Sequence, residues 1–247
     1  MDKNRKRGIN LKKIIFVIIV VAIIFSIIVI YLPQEVEGDY LENKRNIIFT
    51  KTQKPHPQLN KWKEKNQDIY AWLSIADTNI EYPVVMELEK EKGYYLNHDY
   101  EREESSYGSI YSEEANSPLL TDVQTVFYGH NMRDGSMFGS LEEFLKLDYF
   151  KEHREIKVHL EEETRKYEII ASYAYTNAHL LQELGTKKWT TKDYIDTVMF
   201  RAHEEGGNVW DGKIPDGTML TLSTCHSADN SKRVLVQGVL KDVEKCE

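Results

Sequence analysis

Apolar residues fall along this chain in three textures. From residue 14 to residue 32 they form one unbroken run of 19, uncharged, with polar side-chain groups only at Ser26 and Tyr31. A helix rising roughly 1.5 Å per residue would span about 28 Å there, close to the roughly 30 Å hydrocarbon core of a bilayer. In lipid a helix is required, because it pairs its own backbone groups. Between residues 59 and 73, Leu59, Trp62, Ile69, Trp72 and Leu73 recur at near-helical spacing and predict an amphipathic helix. Beyond that the pattern changes to short apolar runs broken by turns. Strands are predicted at 80–85, 108–111, 125–128, 156–160, 166–175, 218–224 and 234–240, with Pro83 placing the first at an edge or bulge.

Two helices interrupt these strands. Ser140-Leu-Glu-Glu143 has the form of a capping box opening a helix over 141–147. Thr190 or Thr191 can cap another that runs to about His203 and stops at Gly206-Gly207. Many short strands with few helices predict a mainly β fold with peripheral helices, a closed or nearly closed β-barrel.

Charge then orients the chain. Lys3, Arg5, Lys6, Arg7, Lys12 and Lys13 precede the apolar run against one acid, Asp2. That bias holds residues 1–13 in the cytoplasm, makes 14–32 a transmembrane anchor and exports the chain beyond it. A cleaved signal peptide is the competing reading, but Tyr31-Leu-Pro-Gln-Glu35 lacks a small-x-small cleavage pattern. Residues 33–56, polar and proline-containing, read as a stalk or linker, and 57–247 as the exported domain. Of 247 residues 41% are hydrophobic, enough for one sizeable core. Setting aside the +5 of residues 1–13 turns the formal charge of −8 into −13 for the remainder. So acidic a domain is a poor partner for nucleic acid.

There are two cysteines, Cys225 and Cys246. A disulfide between them is the plain structural reading in an oxidising compartment, although a crosslink at the penultimate residue restrains little. No CxxC or paired Cys/His spacing points to a metal. Thr221-Leu-Ser-Thr-Cys225 and Arg233-Val-Leu-Val-Gln237 are two β-rich runs separated by a polar stretch. Paired antiparallel, they set Cys225 beside Arg233. A guanidinium there favours a thiolate and can hydrogen-bond a developing oxyanion. A thiol nucleophile also needs a proton-transfer partner. His130 follows the strand at 125–128 and opens a turn-rich stretch, where a side chain can project from a firmly held backbone. His226 is the rival; as the neighbour of Cys225 in extended chain it is expected to face the other way.

These motifs resemble the sortase family. Thr221-Leu-Ser-Thr-Cys225 with Arg233 matches the signature TLxTC followed by arginine. Tyr128-Gly-His-Asn-Met132, continuing through Asp134-Gly-Ser-Met-Phe-Gly-Ser-Leu141, is similar to the histidine motif of class B sortases. Trp72-Leu73, Ile80-Glu-Tyr-Pro-Val-Val85 and Gly108-Ser-Ile-Tyr111 extend the likeness over roughly residues 59 to 241. The cysteine-to-arginine stretch is short for the class. The resemblance implies a sortase barrel with an N-terminal helical extension and a helix inserted at 190–205. It implies a cysteine transpeptidase in which Cys225 cleaves a sorting motif after threonine and passes the acyl group to a cell-wall precursor amine. Cys225, His130 and Arg233 would be catalytic. Asn97 and Thr176, with Ser223 and Thr224 on the cysteine strand, would lie near the peptide. Partners would be surface proteins bearing a sorting motif, the peptidoglycan precursor and the membrane; no metal or organic cofactor is required. A membrane-anchored cysteine protease and a non-catalytic surface binding module are the alternatives.

Overall fold

The computed structural model describes residues 56–88, 91–184 and 188–246. The basic tail, the apolar run at 14–32 and nearly all of the stalk lie outside them. Among the described residues no helix is long and apolar enough to cross a membrane.

Helix α1 (Pro57–Lys65) begins on a proline at its first turn, where the missing N–H costs nothing. It stops eight residues before the predicted end. Asn66 is extended, and its side-chain oxygen accepts from the Asp68 amide, which turns the chain. The remaining apolar residues then form strand β1 (Ile69–Ser74). They read as helix because both faces of this strand are covered, so no period of two shows in the sequence. Strands β2 (Glu81–Glu87), β3 (Ile110–Glu113), β4 (Gln124–Tyr128) and β5 (Glu155–His159) come next. Then come β6 (Glu163–Thr176), β7 (Asn208–Val209), β8 (Met219–Cys225) and β9 (Lys232–Lys245).

Hydrogen bonding runs in the order β5-β1-β2-β3-β4-β8-β9-β6, and β5 pairs back with β6. Eight strands therefore close into a barrel, with β7 added outside on β6. Pairs β2/β3 and β4/β8 are parallel, and the other neighbours are antiparallel. Pro83 faces β1 only, since pairing with β3 begins at Val84. Proline is tolerated there as at a sheet edge, since no β3 residue is registered opposite it.

The predicted capping-box helix is not formed. Residues Gly139–Leu145 make a 3-10 segment without a side-chain cap, and the short helix α2 (Leu147–Glu152) comes after it. Ser140 does not cap; its hydroxyl is buried without a hydrogen-bond partner. Leu141 and Phe144 are fully buried, so tertiary packing decides this segment over local capping chemistry. A further short helix, α3 (Leu180–Leu184), has no counterpart among the elements predicted from sequence. Helix α4 (Thr191–Glu204) is the expected insertion before the cysteine strand, with Thr190 Oγ1 accepting from the Asp193 amide.

One cluster fills the barrel with Leu73, Val84, Phe127, Leu222 and Val236. A second packs Tyr194, Ile195 and Val198 of α4 against Tyr173, Leu235 and Val239 on the outer face of β6 and β9. A third places Leu59 of α1 against Ile69, Trp72 and Val85. Each large apolar side chain buried this way contributes about 1.5–3 kcal/mol. Strand β8 is consequently buried on both sides as far as Thr224 and emerges at Cys225.

Candidate active site

Cys225 ends β8, and Arg233 is the second residue of β9. They are the last registered pair of that antiparallel ladder. Arg233 Nη1 donates to Cys225 Sγ at 2.7 Å. Both cysteines are free, and Cys246 lies at the opposite end of β9, where its amide donates to the Glu162 carbonyl. The disulfide reading is thereby overturned: Cys225 sits beside the start of the long strand β9 and Cys246 follows its end.

Parallel pairing of β4 with β8 brings the histidine loop to the same rim. Tyr128 pairs with Ser223, and the Gly129 amide donates to the Ser223 carbonyl at 3.2 Å. Thr224 Oγ1 donates to the Gly129 carbonyl at 2.8 Å. The ladder thus delivers His130 beside the end of β8. Gly129 has no room for a side chain: a Cβ there would stand 2.4 Å from Ile110 Cδ1.

The half-buried imidazole of His130 is held by the segment between β2 and β3. Its Nε2 lies 2.7 Å from the Leu96 carbonyl. A carbonyl only accepts, so this bond requires the proton on Nε2 and leaves Nδ1 as the basic nitrogen. Beneath the ring, Gly108 adopts a left-handed φ of 60°, and a Cβ there would come within 3.1 Å of His130 Cδ2. Among the described residues no hydrogen bond joins His130 to Cys225.

His226 does not look away as expected. The strand ends at Cys225, so alternation stops there, and His226 lines the same cavity of about 650 Å³ as Cys225, Asn131, Glu142 and Ser227. Its Nδ1 accepts from the Ala228 amide at 3.2 Å. The His226 amide donates to the Lys232 carbonyl, and the Ser227 amide to Glu142 Oε1. All three amides following the nucleophile already have acceptors, and Arg233 is the donor that reaches the sulfur.

The residues expected near the peptide separate into two kinds. Asn97 and Thr176 are exposed, Asn97 just after a 3-10 turn and Thr176 at the end of β6, opposite Lys232. Ser223 and Thr224 are buried, and Thr224 has its hydroxyl committed to Gly129. Tyr111 and Tyr128 stack behind the rim with centroids 5.4 Å apart. The Tyr128 hydroxyl is buried without a partner. Burial, then nearby Glu113, pushes the Tyr128 phenol well above its ordinary range. Sequence reasoning missed the Leu96 carbonyl, Glu142 and Ser227. A backbone acceptor has no side-chain signature, and Glu142 is one of many surface-type acids.

Residues 73–241 match the family model of the sortase domain. The chain belongs to the sortase family. It is 32% identical to Sortase B of Listeria monocytogenes over 186 residues, 74% of each chain. It is 27% identical to Sortase B of Staphylococcus aureus over 237 residues, 94% of this chain and 96% of that one. The X-ray structure of Clostridium perfringens sortase B superposes with a TM-score of 0.65 at 29% identity, covering 74% of this chain and 99% of that one. A Staphylococcus aureus sortase B–substrate complex gives 0.64 at 26%, covering 76% and 86%. These relatives place the chain in class B, and its activity is that of a sortase transpeptidase. Neither the protease nor the binding-module alternative is favoured.

Proposed function

We propose that Cys225 is the nucleophile, His130 the proton-transfer group and Arg233 the oxyanion-side cation of this transpeptidase. The observation that carries the assignment is the 2.7 Å bond from Arg233 Nη1 to Cys225 Sγ, made at a rim that also receives His130. Cys225 gives its thiol proton to His130 Nδ1, and the resulting thiolate attacks the threonine carbonyl of a sorting motif and forms a tetrahedral oxyanion. Arg233, already beside the sulfur, has further N–H groups to follow the charge as it moves onto oxygen. The C–N bond breaks, the leaving amine takes its proton from His130, and a thioacyl enzyme remains. An amine of the cell-wall precursor then attacks the thioester and gives a proton to the imidazole, and the sulfur leaves as thiolate. Nδ1 of His130 handles each transfer, since Nε2 is committed to Leu96.

We assign Asn97 and Thr176 to the peptide groove on the family resemblance; both are exposed, and Asn97 lines a separate cavity with His98 and Glu104. Ser223 and Thr224 act from beneath the rim, Thr224 by holding Gly129. Residues 1–13 are proposed as a cytoplasmic tail, 14–32 as a single-pass anchor, 33–56 as a stalk and 57–247 as the extracellular catalytic domain. Its partners are sorting-motif proteins and the peptidoglycan precursor.

A panel of sorting-motif peptides, incubated with wild type and Cys225→Ala, tests this reading. Wild type is expected to cleave at least one peptide after threonine and to join it to an added aminoglycine nucleophile; Cys225→Ala does neither. Cleavage that yields only the hydrolysed acid, with or without the amine, would identify a protease instead. Absence of cleavage by either protein would remove the enzyme reading.

A further inference from the structure

A carboxylate outside the proposed catalytic trio ties its two loops together. Glu142 lies in the 3-10 segment between Leu141 and Phe144, both fully buried, so its backbone is anchored in the barrel core. Oε1 accepts from Asn131 Nδ2 at 3.0 Å and from the Ser227 amide at 2.5 Å, and Oε2 accepts from Ser227 Oγ at 2.7 Å. Asn131 Nδ2 also donates to the Cys225 carbonyl at 2.7 Å. Asn131 directly follows His130, and Ser227 is two residues beyond Cys225. One carboxylate thus joins the chain on both sides of the proposed sulfur–imidazole pair.

We propose that Glu142 is a positioning residue for transpeptidation, stapling the loop after the nucleophile to the histidine loop so that Cys225 and His130 keep a productive separation. This deepens the site reading given above and rests on it. Two further observations support it. Partial burial raises the Glu142 pKa, but the Ser227 amide and hydroxyl, Asn131 and nearby His226 outweigh it, and the group is held below its ordinary value. The staple is therefore ionised at neutral pH, where its three hydrogen bonds are charge-assisted. The stretch between Cys225 and Arg233 is also short, so a displacement at Ser227 has little chain in which to dissipate before reaching the sulfur.

The test uses the full-length protein and three variants, Glu142→Ala, Glu142→Gln and Asn131→Ala/Ser227→Ala. Two readouts are taken: the pH profile of iodoacetamide alkylation mapped to Cys225 by mass spectrometry, and peptide turnover per alkylatable Cys225. Mispositioning by a fraction of an ångström predicts that Glu142→Ala lowers kcat by about 10- to 100-fold with KM within about 2-fold. It also predicts an altered Cys225 alkylation profile. Glu142→Gln, which keeps an acceptor for the Ser227 amide, is expected to recover most of the loss. A Glu142→Ala protein whose alkylation profile and kcat per site match wild type overturns the proposal, even if its melting temperature falls. Should Glu142→Ala not fold, the double variant Asn131→Ala/Ser227→Ala, which keeps Glu142 but removes two of its three donors, decides instead: an alkylation profile and kcat per site matching wild type overturn the proposal. Should wild type turn over no peptide, the transpeptidase reading fails while the alkylation profiles still decide the staple.

Discussion

Arg233 donates to the sulfur of Cys225 across the last rung of the β8–β9 ladder, at 2.7 Å. The guanidinium is placed by strand register, which makes its position a property of the barrel. Lysine could supply the charge at this position but not the planar fork of donors. Arg233→Lys is therefore expected to lower kcat with a sorting-motif peptide by about 10²- to 10³-fold, the usual loss for one oxyanion donor. Steady-state kinetics check this; a loss under about threefold would show that the oxyanion is stabilised elsewhere.

The imidazole is set by a backbone carbonyl and a glycine. Gly108 has φ 60°, and a Cβ there would lie 2.7 Å from the Tyr95 carbonyl oxygen and 2.8 Å from that of Leu96. Leu96 is the residue that accepts from His130. Gly108→Ala should strain the backbone by about 1–3 kcal/mol and move the acceptor that fixes the histidine tautomer. Turnover is expected to fall at least tenfold, beyond what the fraction unfolded explains. Thermal denaturation read alongside kcat separates the two effects, and an alanine variant with wild-type kcat would refute this role of Gly108.

How much of this arrangement was visible in the residue order varies by element. The pairing of Cys225 with Arg233 followed from two apolar runs and the polar stretch between them, because antiparallel register is short-range. The meeting of His130 with β8 depends on the parallel β4/β8 pair, whose strands are far apart in sequence; its strand-end position marked His130 as a candidate, and the family resemblance supported it, but neither showed the pairing that brings it there. Ser140 looked like a cap, but the core's demand for Leu141 and Phe144 produced a 3-10 segment. Residues 69–73 looked helical because α1 covers the strand face that solvent would otherwise mark with polar residues. Glu142 had no signature at all, since its three donors come from loops brought together only in the closed barrel.

Acid stability should report on the join between α1 and the barrel. His56 stacks on Trp72 with centroids 4.9 Å apart and lies 4.6 Å from the His159 ring. Burial, then His56 and Lys157, depress the His159 pKa from 6.5 to about 4, and burial also lowers that of His56. The unfolded chain therefore binds protons here that the folded one refuses. The resulting stability is intact above about pH 6.5 and declines as pH falls toward 4. Melting temperatures across that window should drop for wild type and drop less for His159→Gln. Equal slopes for the two proteins would mean that other groups control the acid limb.

The central claim is that one sulfur at the barrel rim carries an acyl group between two amines. Intact-mass and peptide-mapping spectrometry of the enzyme quenched during turnover of a sorting-motif peptide tests it most directly. The predicted result is an adduct ending at the threonine acyl group, located on Cys225, lost when an aminoglycine nucleophile is added and absent from Cys225→Ala. An adduct on Cys246, or peptide cleavage with no covalent enzyme species at any time, would contradict the mechanism.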